Sequence, residues 1–122
     1  MKRFPEGLSG RSGAVVSGGL VYAVAFDPLC EAGIVRQTSN TLRYLEDLLT
    51  RTGSGKDRLI QATVYLSDIA DKPAMDAVWC AWIGGEENWP QRACVGVDLD
   101  SGYLIEIVVV AAMADRPGAD VS

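Results

Sequence analysis

The segment Tyr103 to Met113 constrains this chain more than any other. It is apolar at nearly every position, so a strand built from it wants burial on both faces. The chain has 122 residues, about one domain of material, and only two helical patterns elsewhere. One layer packed on a sheet uses both helices. The second face needs cover from outside the chain, and a partner subunit is the simplest source. The pattern alone predicts a homo-oligomer.

The remaining elements follow from periodicity and punctuation. Ala14 to Ser17 and Leu20 to Phe26 flank Gly18-Gly19 and read as a hairpin, which Asp27-Pro28 ends. From Ile34 to Arg51 the apolar spacing becomes helical, with Leu42, Leu45, Leu48 and Leu49 on one stripe. Arg58 to Leu66 alternates as a strand, with Ile60, Ala62, Val64 and Leu66 on one face. Asp71 to Trp82 is a second helix, with Pro73 in its first turn and Met75, Val78, Trp79 and Trp82 as its stripe. Gln91 to Leu99 and Tyr103 to Met113 are two further strands, read as a hairpin closed by Asp100-Ser101-Gly102. The first dozen residues, rich in Gly and Ser, are expected to pack loosely. The order β-β-α-β-α-β-β predicts an α+β fold, a mixed sheet with both helices on one face.

Several functions are excluded before any site is sought. Lys and Arg number 11 against 16 Asp and Glu, a net charge of −5. That disfavours nucleic acid and polybasic membrane contact. Histidine is absent, which removes Ser-His-Asp and Cys-His catalysis and His-ligated zinc. Cys30, Cys80 and Cys94 show no CxxC spacing and read as thiols of a reducing compartment, Cys30 and Cys80 as inert small hydrophobes. Met1 to Gly7 has no apolar run behind its charges, so no leader is expected and the default location is cytoplasmic. Gly53-Ser54-Gly55-Lys56 follows a helix and lacks the Ser or Thr of a phosphate loop; it reads as a turn.

Glu106 is the anomaly, a carboxylate inside Leu104-Ile105-Glu106-Ile107-Val108. It must be paired, protonated or at a wet site. On the neighbouring strand, Ala93, Val95, Val97 and Leu99 suit the helices, which turns Arg92 and Cys94 toward the other face. A hairpin loop of odd length brings Glu106 to that same face; an even loop sends it to the helix side. Gln61, Thr63 and Tyr65 add polar groups. Arg92 suits a planar carboxylate, and Glu106 can orient or deprotonate water. Cys94 reads as pocket wall, since only Arg92 could activate it.

Pro90-Gln91-Arg92-Ala93-Cys94-Val95 followed by Ile105-Glu106-Ile107 resembles the RidA/YjgF family. So do Gln37-Thr38-Ser39-Asn40-Thr41-Leu42, Ala62-Thr63-Val64-Tyr65-Leu66-Ser67-Asp68 and Met75-Asp76-Ala77-Val78-Trp79. The likeness covers residues 14 to 113 and is greatest to the YoaB-like branch. It implies one domain over residues 1–114, a chorismate-mutase-like fold, and a homotrimer with clefts between subunits; residues 115–122, with Pro117 and Gly118, read from their own composition as a polar tail. It also implies a hydrolase of the 2-iminobutanoate/2-iminopropanoate deaminase type. Such an enzyme converts reactive 2-imino or 2-enamino acids to 2-keto acids and ammonia without cofactor or metal. By this resemblance Arg92 holds the substrate carboxylate, Glu106 positions the attacking water, and the backbone around Cys94 contacts the substrate nitrogen. Three positions depart from the family pattern. Arg11-Ser12-Gly13 stands where a Tyr closes the pocket, Val24-Ala25 where Ser-Gly is usual, and Asp76 where an Asn faces the substrate. A negative Asp76 weakens carboxylate binding unless Arg92 or another base pairs with it. A non-catalytic trimer binding small carboxylic metabolites is the alternative, and a ribonuclease or translation inhibitor is a third.

Overall fold

Two glycines set the first hairpin. Gly18 and Gly19 both take positive φ, 61° and 79°, as a two-residue turn of the mirror-image type requires. They join β2 (Ala14–Ser17) to β3 (Leu20–Ala25), with Ser17 paired to Leu20. The computed structural model describes residues 1–114, and the expected tail at 115–122 lies outside them. The other elements are β1 (Lys2–Phe4), α1 (Ile34–Arg51), β4 (Leu59–Leu66), α2 (Lys72–Ile83), β5 (Gln91–Gly96) and β6 (Ile105–Ala112). The six strands form one mixed sheet in the order β1-β2-β3-β6-β4-β5. β5 runs parallel to β4, joined through α2; β6 is antiparallel to both β3 and β4.

Both helices lie on one face and close a single core. Leu42, Leu45, Leu48 and Leu49 of α1 and Met75, Trp79 and Ile83 of α2 are buried. They pack on a sheet face made by Ala14, Val21, Ala23, Ala25, Ala62, Val64, Leu66, Ile105, Ile107, Val109 and Ala111. Burying each leucine stabilises the fold by about 1.5–3 kcal/mol, so the α1 stripe alone is a large fraction of what holds the domain. The small residues of β2 and β3 let α1 approach closely, while the long aliphatics of β4 and β6 fill the centre. Among the described residues no helix is long and apolar enough to cross a membrane.

Among the described residues the opposite sheet face has no helical layer. Tyr22, Val95, Val97 and Val108 on that side keep 44%, 41%, 43% and 37% of their surface exposed. This is the uncovered face that the Tyr103–Met113 pattern anticipates.

Four expectations need correction. The N-terminal segment is not loose: Lys2–Phe4 pairs with Ala14–Val16 as an edge strand. Ile60 does not share a face with Ala62. A register shift between Leu59 and Gln61 leaves Ile60 exposed and returns Leu59 to the core. Cys30 and Cys80 are exposed rather than buried. Finally, β5 and β6 are not a hairpin, because β4 lies between them. The crossover through α2 places β5 on the sheet edge, and β6 inserts between β3 and β4. Loop parity therefore decides nothing about Arg92 and Glu106.

Candidate active site

Register places the two groups on opposite faces. Ala62 pairs with both Val109 and Arg92, so Arg92 falls in a row whose other members are buried under the helices. Tyr65 pairs with both Glu106 and Val95, so Glu106 belongs to the open face. Arg92 and Cys94 thus face α2, while Val95 and Val97 face outward, the reverse of the expected assignment. The apolar alternation in β5 is real, but it serves the uncovered face rather than the helices. Arg92 can sit on the helix side because β5 is an edge strand, where a long side chain reaches the rim of α2 instead of the core.

At that rim Arg92 meets three side chains of α2. Its Nη2 donates to Asp76 Oδ1 at 2.5 Å, Nη1 lies 3.8 Å from Met75 Sδ, and the guanidinium sits 5.2 Å from the Trp79 ring centroid. Trp79 supplies a cation–π surface that fixes the guanidinium plane. Lys72, one helical turn before Asp76, donates from Nζ to Asp76 Oδ2 at 2.7 Å. The cluster holds two cations and one carboxylate, a net single positive charge. Burial alone pushes the Asp76 carboxyl up, but the hydrogen bonds from Lys72 and Arg92 reverse this and hold it below its ordinary value. Burial likewise pushes the Cys94 thiol up, against the pull of Arg92. A protonated thiol at neutral pH is a poor nucleophile, in keeping with a wall rather than a catalytic role.

Glu106 lines a separate cleft of about 370 Å³, walled by Arg11, Phe26, Asp98, Asp100 and Tyr103 among others. Among the described residues, neither Glu106 nor Arg11 has a hydrogen-bond or ion-pair partner. Phe26 meets Tyr103 edge-on at 6.0 Å, forming an aromatic wall. Two buried polar side chains of the helix side shape the surrounding loops. Gln37 donates to the carbonyls of Glu31 and Gly102 and accepts from the Leu104 amide at 2.8 Å. Asp27 accepts from the Leu29 and Glu31 amides, both at 2.8 Å. Every polar atom of the Gln37 amide function thus has work, as burial requires.

The structure therefore brings Arg92, Cys94 and Asp76 together and sets Glu106 apart. Three residues along and two strands across separate the Arg92 and Glu106 backbones by about 14 Å, with the sheet between their side chains. Lys72 is a site member that sequence reasoning did not single out, and Trp79 reads there only as part of the apolar stripe of α2. The spacing of Lys72 and Asp76, four residues apart on one helix, was the available signal for the first. The cleft residues Arg11, Phe26 and Tyr103 come from three loops and left no periodic trace.

Comparison with known proteins agrees with this architecture. A family model described as Endoribonuclease L-PSP matches residues 2–113. The RutC family protein YoaB of Escherichia coli is 32% identical over 103 residues, 84% of this chain and 90% of YoaB. A RutC family protein of Haemophilus ducreyi is 30% identical over 104 residues, 84% of this chain and 88% of that protein. Among solved structures, a Neisseria meningitidis member of the YjgF protein family superposes with a TM-score of 0.85 at 28% identity, covering 94% of this chain and 96% of that one. A Salmonella typhimurium protein provisionally named a translation initiation inhibitor gives 0.78 at 34% identity, covering 82% and 87%. On a match that spans nearly the whole chain, with the six-stranded sheet and paired helices in common, this protein belongs to the RidA/YjgF family, whose members also carry the Endoribonuclease L-PSP and RutC names.

Proposed function

We propose that the protein hydrolyses reactive 2-imino and 2-enamino acids to 2-keto acids and ammonia in clefts shared between copies of the chain, as a homotrimer. The observation that supports this reading is the family match over residues 2–113, which spans Arg92 and Glu106, two groups placed on opposite faces of one sheet. Within a chain they cannot share a substrate; between copies they can. The exposed apolar residues around Glu106 supply the surface a second copy would cover.

In such a cleft Arg92 of one copy holds the substrate carboxylate, with Cys94 and Asp76 beside it. Glu106 of the other copy takes a proton from water as the oxygen adds to the imine carbon. That proton passes to nitrogen to give a carbinolamine; Glu106 then carries the hydroxyl proton to nitrogen as the C–N bond breaks, and ammonia leaves a 2-keto acid. Nothing in this sequence requires a cofactor or metal. An amino-acid oxidase assay with semicarbazide trapping tests it: added protein should divert imine to keto acid and lower semicarbazone yield. No diversion with any imine, in wild type and Arg92→Ala alike, refutes it.

The second reading, a non-catalytic trimer that binds small carboxylic acids, rests on the retained Arg92 beside the departures at Arg11-Ser12-Gly13 and Val24-Ala25. Keto acids that raise the melting temperature without any imine turnover would select this reading. The names of relatives add RNA cleavage and translation inhibition, which the charge of −5 and the absence of His disfavour. RNA degradation that persists in an Arg92→Ala, Glu106→Gln double variant would mark a contaminant.

A further inference from the structure

We propose that Asp76 and Lys72 act as a carboxylate-exchange latch on Arg92: the substrate carboxylate replaces Asp76 on the guanidinium while Lys72 retains Asp76. This rests on the reading of Arg92 as the carboxylate anchor and adds two positioning residues to it.

Three features of the cluster argue for exchange rather than a permanent ion pair. Asp76 is chemically the same group as the expected ligand and occupies one donor edge of the guanidinium. Any incoming carboxylate that binds with two parallel hydrogen bonds must compete for it. Asp76 also has a second holder that does not depend on Arg92. Lys72 lies four residues away on the same helix and binds the other carboxylate oxygen, so Asp76 remains neutralised when Arg92 lets go. The guanidinium in turn stays in place without Asp76, because the Trp79 face and Met75 support it from α2.

Charge arithmetic points the same way. The empty cluster carries one net positive charge, and a bound monocarboxylate brings it to zero. An uncharged amide or ester brings no charge to offset the displaced Asp76. The latch therefore selects free carboxylates over neutral look-alikes more sharply than Arg92 alone would, at the cost of weaker binding.

The test is equilibrium binding of pyruvate and 2-ketobutyrate, read by Trp fluorescence and thermal shift, in wild type, Asp76→Asn, Lys72→Met and the double variant. Removing the internal competitor should tighten binding about tenfold or more. Lys72→Met alone should weaken it about two- to fivefold, because displaced Asp76 loses its holder. In the Asp76→Asn background the same Lys72 change should have little effect. Asp76→Ser serves the same purpose if Asp76→Asn does not fold. Equal or weaker binding by Asp76→Asn overturns the latch. So does an equal loss from Lys72→Met in both backgrounds, which would make Lys72 a simple attractor of anions. In both cases the anchor reading of Arg92 survives. If no variant and no wild-type protein binds either acid, the anchor reading falls and the latch falls with it.

Discussion

Val108 and Val109 are neighbours in one strand and lead different lives. Val109 lies under the helices with 1% of its surface exposed, while Val108 on the open face keeps 37%. The same contrast separates the two candidate half-sites. Arg92, on the covered face, is pinned by an acid, a base-bearing helix turn and an indole ring. Glu106, on the open face, lines a cleft and has no side-chain partner among the described residues. The covered face spends its side chains on holding the subunit together. The open face keeps both apolar area and a carboxylate in reserve, a pattern that makes sense when another copy completes it.

The largest effect that would break this contrast is catalytic. Glu106→Gln should lower imine hydrolysis by about 10²- to 10⁴-fold while leaving the melting temperature close to wild type, as measured by keto-acid formation and thermal unfolding. A strong drop in stability instead would mean that Glu106 is structural. Next comes the core. Ile107→Ala should destabilise the subunit by about 2–5 kcal/mol in denaturant unfolding, because a fully buried side chain leaves a cavity. Val108→Asp, one residue on, should leave the subunit folded but shift sedimentation from the proposed trimer to monomer, since it places a charge in the surface a copy would bury. If Val108→Asp sediments as wild type does, that face is not the interface.

The smallest effect is a pH dependence at Asp76. Its carboxyl is held below its ordinary value in the folded protein, so pairing stabilises the fold fully above that ordinary value. The contribution is lost as pH falls through the lowered value. Asp76→Asn should thus melt slightly below wild type at neutral pH, by less than about 1 kcal/mol for so open a cluster, and the gap should close in strong acid. A gap that persists in acid would assign the loss to packing.

Much of the fold was legible because its signals are local. The leucines of α1, the stripe of α2 and the Gly18-Gly19 turn each predict their own element from neighbours in sequence. The uncovered face was legible too, since an apolar strand without enough helices implies it. The inverted faces of β5 were not. Nothing in Gln91 to Leu99 says that β5 lies on the sheet edge, where its apolar alternation serves the uncovered face and a long Arg92 can reach the rim of α2. The bulge at Ile60 has the same character: one extra residue in register, invisible to alternation, moves a side chain from core to solvent. Arg92, Glu106, Cys94 and Asp76 were readable as residue types in a family pattern. Their division into two half-sites was not, because it depends on strand order.

Gln37 gives the Glu106 cleft an unexpected tolerance. One amide, rooted in α1, ties Glu31 in the loop before that helix to Gly102 and Leu104 just before β6 begins. Changes in length upstream, between Gly96 and Gly102, are absorbed before that tie and never reach Glu106. A loop grafted or trimmed there would redraw the walls that Asp98, Leu99 and Asp100 give the cleft while Glu106 kept its position, making that stretch the natural place to retune what the protein admits.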